Sequence, residues 1–310
     1  MGRQVESLFG AVRVEELRAL SQAADEAPRD FDVRRRSGFA HMWAALGGAL
    51  DLSARAEADL EAAFALRPDD AALTRALGRF YNLRAVDGDR SKAAMQVEVY
   101  AAHLGGVAVD AMTDAQFVAW SFSRLGVILE LRNRARLLSA LGEIESLEDA
   151  LAARVRRRPD NVELHALAGN FAFFFAGNIP MGRAARVRTA VGHFEVVRAR
   201  WDAMRRGARD PDRCPNTYEN FMFELAEGHL ALGDVAKATP IYRELMTVRA
   251  PETTAKTQIA AVSAERLSRA ERYAGDMDLM PPWPSDVGNC VVCHATTRDV
   301  PETSLYTARR

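Results

Sequence analysis

The segment Gly288-Asn289-Cys290-Val291-Val292-Cys293-His294 is where residue type and spacing together point to chemistry. Two thiols three positions apart suit addition to the two vinyl groups of a porphyrin, and the imidazole that follows suits the iron as proximal axial ligand. This is the pattern of covalent attachment of one haem c through Cys290 and Cys293, with His294 on the metal. At this chain's own Cys and His frequencies, chance supplies roughly 0.0006 such matches, so coincidence is a poor account. Other chemistries fit fewer of the residues. Zinc bound by Cys290, Cys293, Cys214 and a His is one, but a second tight ligand pair is missing. A redox dithiol is another, without the βαβ pattern expected around it. Cysteines that simply stay free are the third.

A sixth ligand would tune the iron, with Met raising the potential and a second His usually lowering it. Met277 and Met280 lie shortly before the motif, and His165, His193 and His229 lie in the helical body, so Met280, Met277 and His229 are candidate distal ligands. The plain alternative for each is packing or exposure without a metal. Between Arg154 and Arg213 there are thirteen Arg against six acidic residues, so Arg183, Arg186 and Arg188 are candidates for steering an acidic partner or a haem propionate. The alternative is a solvated Arg face, as scattered helical Glu and Asp also read. No Gly-x-Ser-x-Gly, phosphate-binding Gly-Lys-Ser/Thr loop or His-Glu-x-x-His is present, which favours a carrier or scaffold over an enzyme.

The elements that must position these residues are helical. The chain has 310 residues, 48% of them hydrophobic and 27% charged, with a net charge of −1, an ordinary globular balance with no global field toward nucleic acid. The longest uncharged stretch, Leu164 to Gly182, is interrupted by His165, Asn170, Asn178 and Pro180, so no membrane span is expected. The first thirty residues mix charges with apolar positions and lack the apolar core of an export signal. Apolar residues recur at three- and four-residue spacing almost everywhere before residue 275, and hairpin signals between alternating runs are missing. The expectation is an all-α body over 1–274 without substantial sheet.

Within it, Arg67-Pro68-Asp69-Asp70 leads to Leu73, Leu77-Gly78 and Phe80, and Arg158-Pro159-Asp160-Asn161 leads to Leu164, Ala168-Gly169 and Phe171 in the same register. The two read as copies, each with Pro in the first turn of a helix and a small Gly at a close helix contact. A third segment runs from Tyr218 through Leu225-Ala226, His229, Gly233-Asp234, Ala238, Tyr242 and Leu245 to Pro251. That spacing resembles a tetratricopeptide repeat. The repeat-like segments are about 57–104, 148–200 and 216–251, with extra residues around Asp87-Gly88-Asp89 and an insertion over Gly177 to Ala190 separating the helices of the second. Such inserted helices are also similar to the repeat subunit of some periplasmic tripartite transporters. The resemblance implies a stacked core and a groove for a protein partner.

After Ala274 three prolines, at 281, 282 and 284, break the helix, and 275–310 read as an irregular Pro-rich haem-binding tail. The tail resembles the attachment site of c-type cytochromes without the rest of such a domain, since no Met follows His294. That resemblance implies electron transfer to a redox partner and attachment outside the cytoplasm, hence a periplasmic or exported protein whose leader is absent from this sequence. Two other functions stay open: a cytoplasmic repeat scaffold with zinc or unloaded cysteines, and a sensor or catalytic haem with an open sixth position.

Overall fold

A computed structural model describes residues 4–7, 10–46, 50–86, 89–207, 217–247 and 259–280. The motif Cys290-x-x-Cys293-His294 and Cys214 lie outside the described residues. A short antiparallel hairpin opens the chain, β1 (Gln4–Ser7) with β2 (Gly10–Arg13), Val5 paired with Val12. Among the described residues every element after it is a helix: α1 (Val14–Glu26), α2 (Phe31–Leu46), α3 (Ser53–Leu66), α4 (Ala71–Val86), α5 (Lys92–Leu104), α6 (Asp114–Asn133), α7 (Leu137–Arg157), α8 (Val162–Asn178), α9 (Arg183–Gly207), α10 (Thr217–Ala231), α11 (Val235–Met246), α12 (Ile259–Ser268) and α13 (Ala270–Tyr273). Among the described residues the protein is therefore all-α apart from that hairpin. No described helix is long and apolar enough to cross a membrane.

The packing divides the body into two units, residues up to Ile144 and residues from Glu145, with α7 running through the boundary. In the first unit α2, α3 and α4 close on a core of Phe31, Phe39, Met42, Leu60, Leu77 and Phe80, with Val99 of α5. In the second, α8 to α13 surround Phe173, Phe194, Met222, Leu225, Ile241 and Tyr242. The phenylalanine run of α8 is buried throughout, as its apolar sequence demands: Phe171, Phe173, Phe174 and Phe175 all face protein.

One local device recurs. Ala27-Pro28-Arg29-Asp30, Arg67-Pro68-Asp69-Asp70 and Arg158-Pro159-Asp160-Asn161 each form a tight turn, the fourth residue's amide donating to the first residue's carbonyl at 3.0, 3.3 and 3.0 Å. The same fourth residue then caps the next helix: Asp30 accepts from Val33 N at 3.1 Å, Asp70 from Leu73 N at 2.7 Å, and Asn161 from Leu164 N at 3.2 Å. The prolines therefore stand in the turn, two residues ahead of the capping residue, and not in the first turn of the helix as the sequence suggested. Thr113 caps α6 with a reciprocal capping box to Gln116. Caps at 30, 70, 113 and 161 are spaced by 40, 43 and 48 residues. In the second copy α8 reaches Asn178 and α9 starts at Arg183, so most of 177–190 is helix and not an insertion between helices.

Eight residues after each Pro-turn cap comes Gly38, Gly78 or Gly169. A Cβ on Gly38 would come within 2.8 Å of Leu60 Cδ2 and 2.9 Å of Leu60 N, one on Gly169 within 2.6 Å of Phe194 Cε1, and one on Gly78 would overlap the Tyr100 ring. Gly142 and Gly192 are also helical, but nothing lies near their would-be Cβ atoms. Alanine at Gly38, Gly78 or Gly169 is expected to lower unfolding free energy by about 1–3 kcal/mol through overpacking. Alanine at Gly142 or Gly192 should raise it by about 0.5–1 kcal/mol through helix propensity. Urea titration of the five variants reads the sign directly; a uniform gain would remove the close-contact explanation.

Candidate functional site

The residues assigned by sequence to ligand and partner roles fall in the second unit where they are described. Met280 is 5% exposed inside the α8–α13 core, and Met277 packs on the same core. His229 of α10 is 4% exposed, and its Nε2 lies 3.0 Å from Glu195 Oε1 of α9. The structure thus commits Met280 and His229 to packing and to a carboxylate partner. Gly233, with φ of 81°, turns the chain from α10 into α11, and Asp234 caps α11 by accepting from Lys237 N at 3.1 Å.

The arginine candidates differ from one another. Arg186 places Nε and Nη2 on the two oxygens of Glu148 in α7, at 2.6 and 3.0 Å, and its Nη1 on the Met181 carbonyl at 2.7 Å. Such a bidentate fork holds α9 against α7. Arg183 donates Nε to the Ala176 carbonyl at 3.1 Å and Nη1 to Asp278 at 2.8 Å. Arg188, one and a half turns further along α9, stands exposed. Of the three, the cation open to an outside partner is Arg188.

His165 and His193 form a pair between α8 and α9, Nδ1 to Nδ1 at 3.0 Å with the rings edge to face. His165 Nε2 lies 3.1 Å from the Pro159 carbonyl in the turn before α8. A carbonyl only accepts, so His165 carries its proton on Nε2 and its Nδ1 accepts from His193 Nδ1–H. Burial, and then the neighbouring His165, push His193 down from 6.5 to about 4. The folded chain therefore refuses a proton that the unfolded chain takes up below about 6.5, and stability falls as pH drops from there toward 4. The loss reaches roughly 3 kcal/mol for this group. His41 and His103, also lowered by burial, add in the same direction. His193→Gln keeps a donor for His165 and removes the titration, so its urea midpoint should change less between pH 7.5 and 4.5 than that of the wild type; an equal change would acquit the pair.

Two further polar clusters had no signal in the sequence, where scattered helical Asp and Glu read as solvated. In the first unit Asp59, fully buried, accepts from Arg34 Nη1 at 2.5 Å, Ser37 Oγ at 2.6 Å and Arg55 Nε at 2.7 Å. His41 extends the chain of bonds, Nδ1 to the Ser37 carbonyl at 2.8 Å and Nε2 to Ser21 Oγ at 3.0 Å, tying α1, α2 and α3 together. In the second unit Glu227 accepts from Tyr242 Oη at 2.5 Å and Arg266 Nε at 2.9 Å, all three side chains buried. Among the described residues no group of three or more His, Cys, Asp or Glu could hold a metal ion.

Comparison with known protein families, with curated proteins and with solved structures gave no match.

Proposed function

We propose that this chain is a haem c-binding helical-repeat protein that transfers electrons and docks a protein partner. The observation that carries the reading is Cys290-x-x-Cys293-His294, whose donor set, two thiols and one imidazole, is the set a covalently attached haem takes. Cys290 and Cys293 would hold the porphyrin edge through thioethers, and the His294 imidazole would give its lone pair to the iron. Bound there, the group supplies a reversible one-electron couple. The described candidates for a second axial ligand fit less well, since Met280 is packed in a core and His229 is bonded to Glu195. The body supplies stacking helical hairpins and a surface for docking. Ala226, Gly233 and Ala238, small residues on and between α10 and α11, support the tetratricopeptide-like reading of that hairpin. Thioether attachment places the working protein outside the cytoplasm. The test is protein made with export and haem-maturation machinery, then denatured and acid-extracted: retained colour supports the reading. Full extraction of colour, or stoichiometric zinc without a haem band, overturns it in favour of a scaffold.

A further inference from the structure

The turn from α6 into α7, within the first unit, gathers several local costs in one short stretch of chain. Arg134 N donates to the Glu130 carbonyl, Ala135 N to the Arg132 carbonyl and Arg136 N to the Leu131 carbonyl, at 3.0, 3.0 and 2.9 Å. This closure sets Ala135 at φ of 57°, a left-handed backbone that Gly takes at less cost. Arg136 then stands at the N-cap of α7, its carbonyl accepting from Ala140 N at 3.0 Å, so a cation occupies the positive end of the helix dipole where a short acidic or hydroxyl residue is usual. Leu137 and Leu138, in the first turn, are 60% and 85% exposed. From Leu131 to Ser139 the sequence holds three Arg and no acid, and Arg134, which pairs with Glu130 one turn back, keeps its side chain 67% exposed. The exposed cations and the exposed leucines are thus neighbours along a single run, 134–139, that faces solvent throughout.

We propose that this tip docks on an anionic lipid surface, with Leu137 and Leu138 entering the acyl boundary and Arg134 and Arg136 meeting the headgroup phosphates. Successive helical positions point about 100° apart, so the two leucines splay and no single narrow pocket takes both, whereas a fluid acyl layer accepts side chains from any direction. A second copy is opposed by charge, since a symmetric contact through the leucines would bring the same arginines together. An acidic protein would satisfy the cations but would need two separate apolar pockets beside them. Anionic headgroups lying over hydrocarbon match both chemistries in one layer. No described helix is long and apolar enough to cross a membrane, and this contact is peripheral: it lies on the surface. It needs no haem.

Co-sedimentation of the full, haem-free chain with vesicles tests this, using phosphatidylcholine alone and phosphatidylcholine with about 30% phosphatidylserine. The chain should bind the anionic vesicles at least about tenfold more tightly than the neutral ones, and the difference should shrink as salt rises from about 0.05 to about 0.5 M. Leu137→Glu or Leu138→Glu should weaken binding at least about tenfold, and Arg134→Gln with Arg136→Gln on the order of tenfold on anionic vesicles alone. Arg188→Gln, an exposed cation of the second unit, should leave binding unchanged, which separates the tip from positive charge in general. All these positions are exposed, and an unchanged helical circular dichroism spectrum verifies that the variants keep their fold. No binding to anionic vesicles, equal binding to neutral ones, or binding indifferent to both Leu variants overturns the proposal. So does self-association that the Leu variants abolish, which gives the leucines to a second copy, or capture of soluble polyglutamate without vesicle binding, which gives the tip to an acidic protein.

Discussion

On the proposed haem c attachment, replacing both Cys290 and Cys293 by Ser is expected to abolish acid-stable haem entirely, whereas either single replacement would leave one thioether and a smaller yield of colour that still resists extraction. The difference follows from the chemistry of attachment. Each thiol would form its own carbon–sulfur bond, and acid extraction removes whatever is held by coordination alone. On the same proposal His294→Ala should behave differently from the cysteine variants: the thioethers would survive extraction, but the iron would lose its proximal imidazole and the absorption spectrum of the native protein would change. Cys214→Ser is the control, because that thiol lies outside the motif. Identical extraction from the wild type and the double variant would remove covalent attachment. Loss of bound zinc from the Cys214→Ser protein would instead mark a three-thiol zinc site.

What the sequence made legible was set by short-range rules. A thiol–thiol–imidazole motif needs only its own spacing, and an amphipathic helix shows its stripe within a few turns, so the all-α fold could be read directly. The Pro-turn copies at 67–70 and 158–161 were visible because Arg, Pro and Asp recur in register. The turn at Ala27-Pro28-Arg29-Asp30 was missed because Arg29 stands where the others have Asp, although its cap, Asp30, and its glycine, Gly38, keep the same places. Helix lengths were misjudged around 177–190 because Ile179-Pro180-Met181-Gly182 signals a break without saying how short it is. Met277 and Met280 carry no periodic stripe, and their place on the second unit's core follows from the tertiary contact of Gly275 with Leu230. Nor could local pattern separate Asp59, Glu227 and Arg266, which are buried, from their solvated neighbours on the same helices. Burial of these charges depends in part on partners distant in the chain, Ser37 lying 22 positions from Asp59 and Arg266 lying 39 from Glu227.

Arg266→Met is expected to destabilise the protein by roughly 3–5 kcal/mol, the cost of leaving a buried carboxylate without its cation. Arg266 is 1% exposed; its Nε holds Glu227 and its Nη1 donates to Glu265 at 2.6 Å, while Tyr273 Oη donates to the other oxygen of Glu265 at 2.7 Å. Burial already pushes Glu227 above its usual value even with Arg266 and Tyr242 pulling the other way. Removing the guanidinium deletes the larger of those opposing pulls, so Glu227 rises further and takes a proton in the folded state that the unfolded chain releases. A raised folded-state pKa means stability is fully present below about 4.5 and is lost as pH climbs through the folded value. The deficit of Arg266→Met against the wild type should therefore be larger at pH 8 than at pH 5. The double variant Glu227→Leu, Arg266→Met leaves no buried charge at that contact and should recover much of the loss, because a hydrophobic pair of similar volume escapes the desolvation cost. Tyr242 then loses its acceptor, which limits the recovery by about 1–3 kcal/mol. Urea unfolding at the two pH values separates the cases: a deficit independent of pH, with no recovery in the double variant, would mean that Arg266 acts through the packing of its stem and its hold on Glu265, and that Glu227 draws its stability from Tyr242 alone.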